Sequence, residues 1–469
     1  MILSSATAPL YERVYLTLRD RILGGQLLTG ERLPSSRALA DDLGVSRNVV
    51  LIAYDKLLSE GYTETKAGSG TFVRALTLPT QIQTATDLKL SDYGNRAVEL
   101  RPRSPYAEQT ALPYNFRYGL TPPDEQLARL WKRSLAKQAL SVPLDYQNPA
   151  GYLPLRRALA SYLGRARGVV ASAEQILITG GSQQALDLSA RVLLNPGDTV
   201  LLEDPHYQGA RLVFQARGAK LHYAKVDHEG LRVPDAVEEK VAAKLAYVTP
   251  SHQFPSGAVL SLKRRLELLE WAHKNEAFIL EDDYDSEFRY HGKPIPAIQG
   301  LTQAKGRVIY MGTFSKLLFP SLRLGFVVLP PNLVEVFAAA KWLSDRFSPV
   351  LEQAALAELM SSGRFERHVR RMRVQHAKRR RALLKGLEPL KNTEIQGSNA
   401  GLHLVVWLND FVLKDAERLV SKARELGVGI YPITPYYQRA PERLGLLMGY
   451  AALDEEAIQE GTRRLVSLL

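Results

Sequence analysis

Five short runs constrain this chain more than anything else in it: QILIT at 175–179, DTVLLED at 198–204, KLAYVTP at 244–250, AFILEDD at 277–283 and RVIYMGT at 307–313. Each is apolar on successive residues and rich in branched side chains. A strand with one solvated face alternates polar and apolar residues, whereas a strand covered on both faces does not. Amphipathic helical patterns separate the runs, so the order predicts an α/β body built on a doubly wound, mainly parallel sheet. At 469 residues the chain exceeds the size at which one core keeps growing, and two or more domains are expected.

Polar residues follow each run. Gly180, Gly181, Ser182 and Gln183 come after the first, Tyr207 after the second and Ser251-His252-Gln253 after the third; Asp282, Asp283 and Tyr284 end the fourth, and Ser315 and Lys316 the fifth. In open α/β sheets ligands bind at the carboxyl ends of the strands, so these groups are expected around one pocket. A helix start at Ser182 suits a phosphate, to which Arg323 and Ser315 add charge and a hydroxyl. An aspartate at a strand end keeps a pyridine nitrogen protonated, and a partly desolvated lysine has the lowered pKa that an imine-forming amine needs. Phosphate, pyridine nitrogen and aldehyde together describe pyridoxal 5′-phosphate.

The first 75 residues read differently. Leu10, Val14, Leu18 and Ile22 mark one helix face, LPSSRALADDLGV a short capped helix ending at Gly44, and SRNVVLIAYDKLLSEGY a third helix with Ser46 as cap and an apolar stripe of Val50, Ala53, Leu57 and Leu58. YTETKAGSGTFV reads as two strands around Gly68-Ser69-Gly70. Two short helices joined by a tight turn, then a hairpin, make a winged helix-turn-helix. The stretch from LPSSRALADDLGV to GSGTFV resembles the GntR family. That resemblance implies DNA contacts from Arg37, Arg47, Gly70 and Thr71, with Ser35, Ser36, Ser46 and Asn48 as further phosphate contacts. Residues 1–75 hold nine Lys or Arg against eight Asp or Glu, so the grip on DNA rests on a few arginines. The chain as a whole carries +12. Much of that excess sits in RFERHVRRMRVQHAKRRRALLK, 364–385, which reads as a solvated helix face or a second phosphate-contacting surface.

YQNPAGYLPLRRALASYL, ITGGSQQAL, VTPSHQFPSG, EDDYDSEF and GTFSKLLFPSLRLGF resemble, in this order, fold-type I aminotransferases. Behind a GntR head, they resemble the MocR (GabR-type) transcriptional regulators. The resemblance implies a winged helix-turn-helix at 1–75, a linker at 76–112 and an aminotransferase-like domain at 113–469 with a smaller C-terminal α+β subdomain. It implies Lys316 as the Schiff-base lysine, Asp282 as partner of the pyridine nitrogen, Tyr284 as donor to the ring hydroxyl and Tyr207 stacked on the ring. Gly181, Ser182, Gln183, Ser315 and Arg323 would hold the phosphate. Tyr146 would reach in from a neighbouring subunit of a homodimer, in which each head can be swapped onto its partner's body. The implied partners are an operator in double-stranded DNA and a small effector, either pyridoxal phosphate or an amine or amino acid.

Two positions depart from the catalytic pattern. Phe254 stands where relatives place an asparagine against the cofactor, and Leu447 where they place the arginine that clamps a substrate carboxylate. An apolar side chain makes no bidentate bond to a carboxylate, so a sensor is expected ahead of the alternative, a working aminotransferase with an accessory DNA-binding head. With no cysteine, disulfides and thiolate metal sites are excluded and no metal site is expected. The amino-terminal stretch meets charges too early for a signal peptide and no apolar run reaches membrane-spanning length, so a cytoplasmic protein away from membranes is expected.

Overall fold

The computed structural model describes residues 8–75, 89–100, 111–121, 124–292, 294–304 and 306–469. The chain divides into two units, Met1–Lys89 and Leu90–Leu469. In the first, α1 (Leu10–Leu23), α2 (Ser36–Leu43) and α3 (Arg47–Ser59) precede a hairpin of β1 (Thr63–Lys66) and β2 (Gly70–Val73). Ser35 Oγ accepts from the Ala38 amide at the start of α2, and Gly44 closes it in the left-handed conformation at φ 64°. Val14, Leu18, Ile22, Leu39, Val50, Ala53 and Leu57 form the core. Two expectations fail here. Leu10 and Leu58 are 39% and 42% exposed, because each lies at the margin of its stripe. Ser46 stands at the amino terminus of α3 but its side chain makes no capping bond.

In the second unit α4 (Asp92–Glu99) is a helix within the stretch expected to be an irregular linker, whose residues 76–88 and 101–110 lie outside the described ones. It buries none of its residues, so no apolar stripe announced it. Arg96 Nε ties it to the carbonyl of Ala216 at 2.9 Å. There follow β3 (Tyr114–Asn115), α5 (Glu125–Gln138) and α6 (Leu153–Arg167).

The five apolar runs become five strands of an eight-stranded sheet. In chain order the sheet region holds β4 (Ile176–Thr179), α7 (Ser182–Leu193), β5 (Thr199–Asp204), α8 (Gln208–Ala216), β6 (Lys220–Asp227), β7 (Gly230–Leu231), α9 (Val233–Glu238), β8 (Leu245–Val248), α10 (Leu262–Lys274), β9 (Phe278–Asp283), β10 (Val308–Thr313) and β11 (Gly325–Val328). The strand order is β4-β11-β10-β9-β8-β5-β6-β7. Pairing from β10 through β6 is parallel, and β11 runs antiparallel to both its neighbours. Alternation explains why the runs are apolar throughout. Ile176, Ile178, Tyr310, Phe326 and Val328 enter one core, whereas Leu177, Ile309, Met311 and Val327 enter another on the opposite face.

Helices α11 (Val334–Asp345), α12 (Val350–Ser361) and α13 (Arg364–Leu387) lead to the smaller subdomain of β12 (Thr393–Gln396), β13 (His403–Leu408), α14 (Ala416–Glu425), β14 (Val428–Gly429), β15 (Tyr431–Pro432), β16 (Leu444–Gly449) and α15 (Glu455–Val466). Its antiparallel sheet runs β12-β13-β16-β15.

One buried ion pair joins α6 to the end of β9. Arg167 Nε lies 2.6 Å from Asp283 Oδ2, with the two side chains 2% and 3% exposed. Arg167 also donates to Ser251 Oγ at 2.5 Å and to the carbonyl of Ile295, and Tyr310 Oη donates to the same Asp283 oxygen at 2.7 Å. Removing one partner leaves the other charge buried alone. Arg167→Ala is therefore expected to destabilise the second unit by about 3–5 kcal/mol in denaturant titrations.

Candidate functional site

Successive residues at the end of β9 point to opposite faces, which sends Asp282 and Asp283 to different surroundings. Asp282 is buried; its Oδ2 accepts from Tyr247 Oη at 2.7 Å, while Oδ1 has no partner among the described residues. Burial pushes its pKa up to about 7, against the Tyr247 hydrogen bond and with help from the Asp283 and Asp285 charges. A cationic N–H placed at Oδ1 would restore the ionised form.

Lys316 follows β10 at the same edge. Its Nζ donates to the Gly119 carbonyl at 2.9 Å and sits 5.1 Å from the centre of the Tyr118 ring. Burial lowers its pKa to about 8, with Arg117 acting in the same direction and Asp285 and Asp282 opposing. A sizeable fraction is thus the neutral, nucleophilic amine near neutral pH.

Helix α7 begins at the same edge, leaving the Ser182 and Gln183 amides in its unpaired first turn. Gly181 precedes it at φ 92°, and a Cβ there would lie 2.8 Å from Arg323 Nη2. The positive φ favours glycine, and a side chain there would also displace the Arg323 guanidinium. Arg323 itself adopts φ 52°, a left-handed conformation rare for a side-chain-bearing residue, and donates to the Gly180 carbonyl at 2.9 Å. Ser315 Oγ accepts from Thr313 Oγ1 at 3.0 Å. Amides, hydroxyl and guanidinium make an oxyanion cradle. Tyr207 is half-buried with its ring edge-on to Phe254 at 5.8 Å. Burial raises its hydroxyl pKa, and the charge of Asp282 adds to the effect.

Tyr284 Oη donates to the His252 carbonyl at 2.8 Å and lies 3.3 Å from His252 Nδ1. That nitrogen is 3.2 Å from Asp285 Oδ2, and with His403 the ligand atoms of this buried trio lie within 4.8 Å of one another. Burial pulls the His252 pKa down, but Asp285 outweighs it and the net shift is upward. Sequence reasoning assigned no role to Tyr118, Tyr247, His252, Asp285 or His403. Tyr247 sits inside an apolar run and reads as a strand former, and His403 belongs to β13, whose approach to this edge is purely tertiary.

Leu447 is 1% exposed and packs with Phe254, Tyr284, Val405, Trp407 and Ile433. Arg443 offers no substitute guanidinium, since it bonds Asn409 and Glu394 and lies over the Trp407 ring. Tyr146 makes its contacts elsewhere. It is 73% exposed, with the Arg346 guanidinium 5.1 Å from its ring centre and Phe347 at 6.1 Å.

In the head, Arg37, Ser46, Arg47 and Asn48 are exposed, and Arg47 Nε donates to Ser36 Oγ at 3.1 Å. Ser35 is committed to its cap. Gly70 and Thr71 open β2 at φ 114° for Gly70, with Arg32 packed against the glycine, a cation the sequence reading passed over. On the basic helix α13, Arg367, Arg370, Lys378, Arg381 and Lys385 stay exposed as a solvated face, while other cations are engaged by the body. Arg371 pairs with Asp124 at 2.7 Å, and Arg373, Arg379 and Arg380 donate to the carbonyls of Glu287, Ala451 and Ser398.

Residues 10–73 match the model for bacterial regulatory proteins of the gntR family, and 121–465 match aminotransferase class I and II. The chain is 39% identical to a probable rhizopine catabolism regulatory protein, MocR, of Rhizobium meliloti, over 98% of this chain and 94% of that one. It is 32% identical to the pyridoxine biosynthesis transcriptional regulator PdxR of Corynebacterium glutamicum, over 94% and 92%. Among solved structures, the α-aminoadipate aminotransferase LysN of Thermus thermophilus, complexed with N-(5′-phosphopyridoxyl)-L-leucine, superposes with TM-score 0.70 at 30% identity, covering 80% of this chain and 96% of that one. Fold and site thus define a GntR-type DNA-binding head joined to a fold-type I aminotransferase domain. The chain belongs to the MocR-type transcriptional regulators of the GntR family, and its cofactor is pyridoxal 5′-phosphate. The open oxygen of Asp282, the lowered Lys316 and the oxyanion cradle fit that group. Among the described residues no helix is long and apolar enough to cross a membrane.

The lowered pKa gives a direct test. Acylation of Lys316 by a small amine-selective reagent, followed by mass spectrometry of its peptide, is expected to rise with pH around a midpoint near 8, below the ordinary lysine value of about 10.4.

Proposed function

We propose that the aminotransferase-like body is a sensor, in which the state of the group held at Lys316 sets how the heads engage an operator. A full set of cofactor-holding residues beside an apolar wall at Leu447 carries this reading. When bound, the cofactor supplies an electrophilic aldehyde carbon. Lys316 presents the amine to it and Asp282 Oδ1 keeps the pyridine N–H. Tyr284, turning its one O–H from the His252 carbonyl, would donate to the ring hydroxyl, and Tyr207 would cover one face. Gly181, Ser182, Gln183, Ser315 and Arg323 hold the phosphate. Exposed Leu140, Leu144, Tyr146, Trp342 and Leu343 support a homodimer, through which Tyr146 reaches the partner's site. A ligand changes operator affinity only by binding two arrangements of that dimer unequally.

The wall of Phe254, Trp407 and Leu447 favours either the cofactor alone or an amine without an α-carboxylate as effector. Matched probes decide. In cofactor-loaded protein, phenylethylamine is expected to perturb the visible absorbance at lower concentration than phenylalanine does. Preference for phenylalanine, with sustained turnover once a keto acid is added, would instead establish the aminotransferase reading.

Lys316→Ala is expected to abolish the visible absorbance of bound cofactor while the far-ultraviolet circular dichroism stays unchanged, since the site is a pocket at the sheet edge and not the core. In the head, Arg37, Arg47 and the wing residues Gly70 and Thr71 lead the DNA contacts, with Ser36, Ser46 and Asn48 on phosphates. Arg47→Ala is expected to cost about 1–3 kcal/mol of specific affinity if it reads a base edge. An equal loss on random DNA reassigns it to a phosphate.

A further inference from the structure

A second cavity, of about 410 Å³, opens on the other side of the β9 terminus from Lys316, between the end of α6, the loop after β9 and the first turns of α13. Five arginines line it: Arg165, Arg167, Arg289, Arg370 and Arg373. Two of them are already neutralised, Arg165 by Glu366 and Arg167 by Asp283, each at 2.6 Å. Arg289, Arg370 and Arg373 have no carboxylate partner among the described residues. Arg370 and Arg373 stand three residues apart on α13 and so share a face.

The remaining acid in the lining is Glu287, whose carboxyl takes a hydrogen bond from Tyr162 Oη at 3.1 Å and is pushed up to about 7 by burial and by Asp283. It answers at most one of these three guanidinium groups, of which Arg373 already spends its Nε on the Glu287 carbonyl, and less than that once protonated. Two buried polar atoms in the same lining, Arg289 Nε and Ser286 Oγ, have no partner among the described residues. An unpaired buried donor costs about 1–3 kcal/mol, so a protein that keeps one beside an excess of positive charge is built to receive an acceptor.

We infer that this cavity is a second ligand site, separate from the cofactor pocket, for a small molecule carrying an oxyanion, phosphate or carboxylate. Arg289, Arg370 and Arg373 bind the oxyanion as charge-assisted donors. Glu287 and Ser286 meet a hydroxyl or amine on the same molecule. The volume suits a ligand of metabolite size. Position gives the site its interest. Along the six residues from Asp282 to Glu287, Asp282 and Tyr284 serve the cofactor pocket, whereas Ser286 and Glu287 line the cavity and Asp283 holds its Arg167. Arg289 also weakly opposes the upward pKa shift of His252, the residue whose carbonyl Tyr284 bonds.

The test is calorimetric titration of full-length, cofactor-loaded protein, whose own oxyanion cradle is filled, with inorganic pyrophosphate and separately with citrate. Saturable binding of either is expected at one equivalent per chain, pyrophosphate preference marking a phosphate ligand and citrate preference a carboxylate one. Arg370→Gln with Arg373→Gln should weaken it at least about tenfold, the loss expected when a charge-assisted hydrogen bond is removed. Lys378→Gln with Arg381→Gln, on the same helix outside the lining, should leave it within about twofold, since exposed charges contribute little. Because Arg373 also holds the Glu287 carbonyl, Arg370→Gln alone, exposed at the rim, covers the case in which the double variant fails to fold. The inference is overturned if neither anion binds saturably, if the cavity variants leave binding intact, or if both pairs weaken it equally. If no cofactor loads, the proposed function has failed on its own terms; the Arg323→Gln chain, with the first cradle disabled, then serves for the same titration.

Discussion

Carboxylates buried at one sheet edge are the constraint around which the body of this protein is organised. β9 ends in three of them, and burying a carboxylate costs several kcal/mol unless something answers its charge. Glu281 is answered by the Ile298 and Gln299 amides at 2.9 and 3.0 Å, and Asp283 by Arg167 and Tyr310. Nearby Glu203 is held by Thr249 and Gln253, yet burial still pushes it up to about 7. Asp282 and Asp283 each keep an Oδ1 without a partner among the described residues, but Asp283 faces the Arg167 cation whereas Asp282 is met only by the neutral Tyr247 hydroxyl. What sets Asp282 apart is a buried carboxylate with an open oxygen and no ion pair among the described residues, the charge a cationic ligand would answer.

Much of this was legible before any coordinates. Asp282, Lys316, Arg323 and the turn at Gly181 declare themselves because a parallel sheet places strand ends at one edge, and the residue types there match one ligand. Legibility stops where contacts are tertiary. Tyr118 and Gly119 arrive from beside a two-residue strand with no period to read, yet they hold Lys316 Nζ. His403 reaches the trio with His252 and Asp285 from the smaller subdomain. The basic run at 364–385 misleads in the opposite direction, since a count of charges does not show that Arg373 and Arg380 are spent on carbonyls of the body. The helix at 92–99 is invisible to periodicity because it buries nothing.

The two departures from the catalytic pattern work together. Phe254 and Leu447 belong to one apolar cluster with Tyr284, so the position that would grip a substrate carboxylate and the position that would tune the ring are both given to packing. Tyr284 in the same cluster is held by its bond to the His252 carbonyl. Under the proposed sensor reading, this cluster leaves the cofactor site without a guanidinium at position 447.

The hydrogen bond from Arg47 to Ser36 has a consequence for how an operator is found. A long cationic side chain usually surrenders up to about 2 kcal/mol of rotational freedom when it docks, and here part of that freedom is gone before any nucleic acid arrives. On the proposed assignment of Arg47 to the DNA contacts, a guanidinium tethered to Ser36 would have less reach for an acceptor displaced by one base step, and the head would trade tolerance of mutated promoters for stringency.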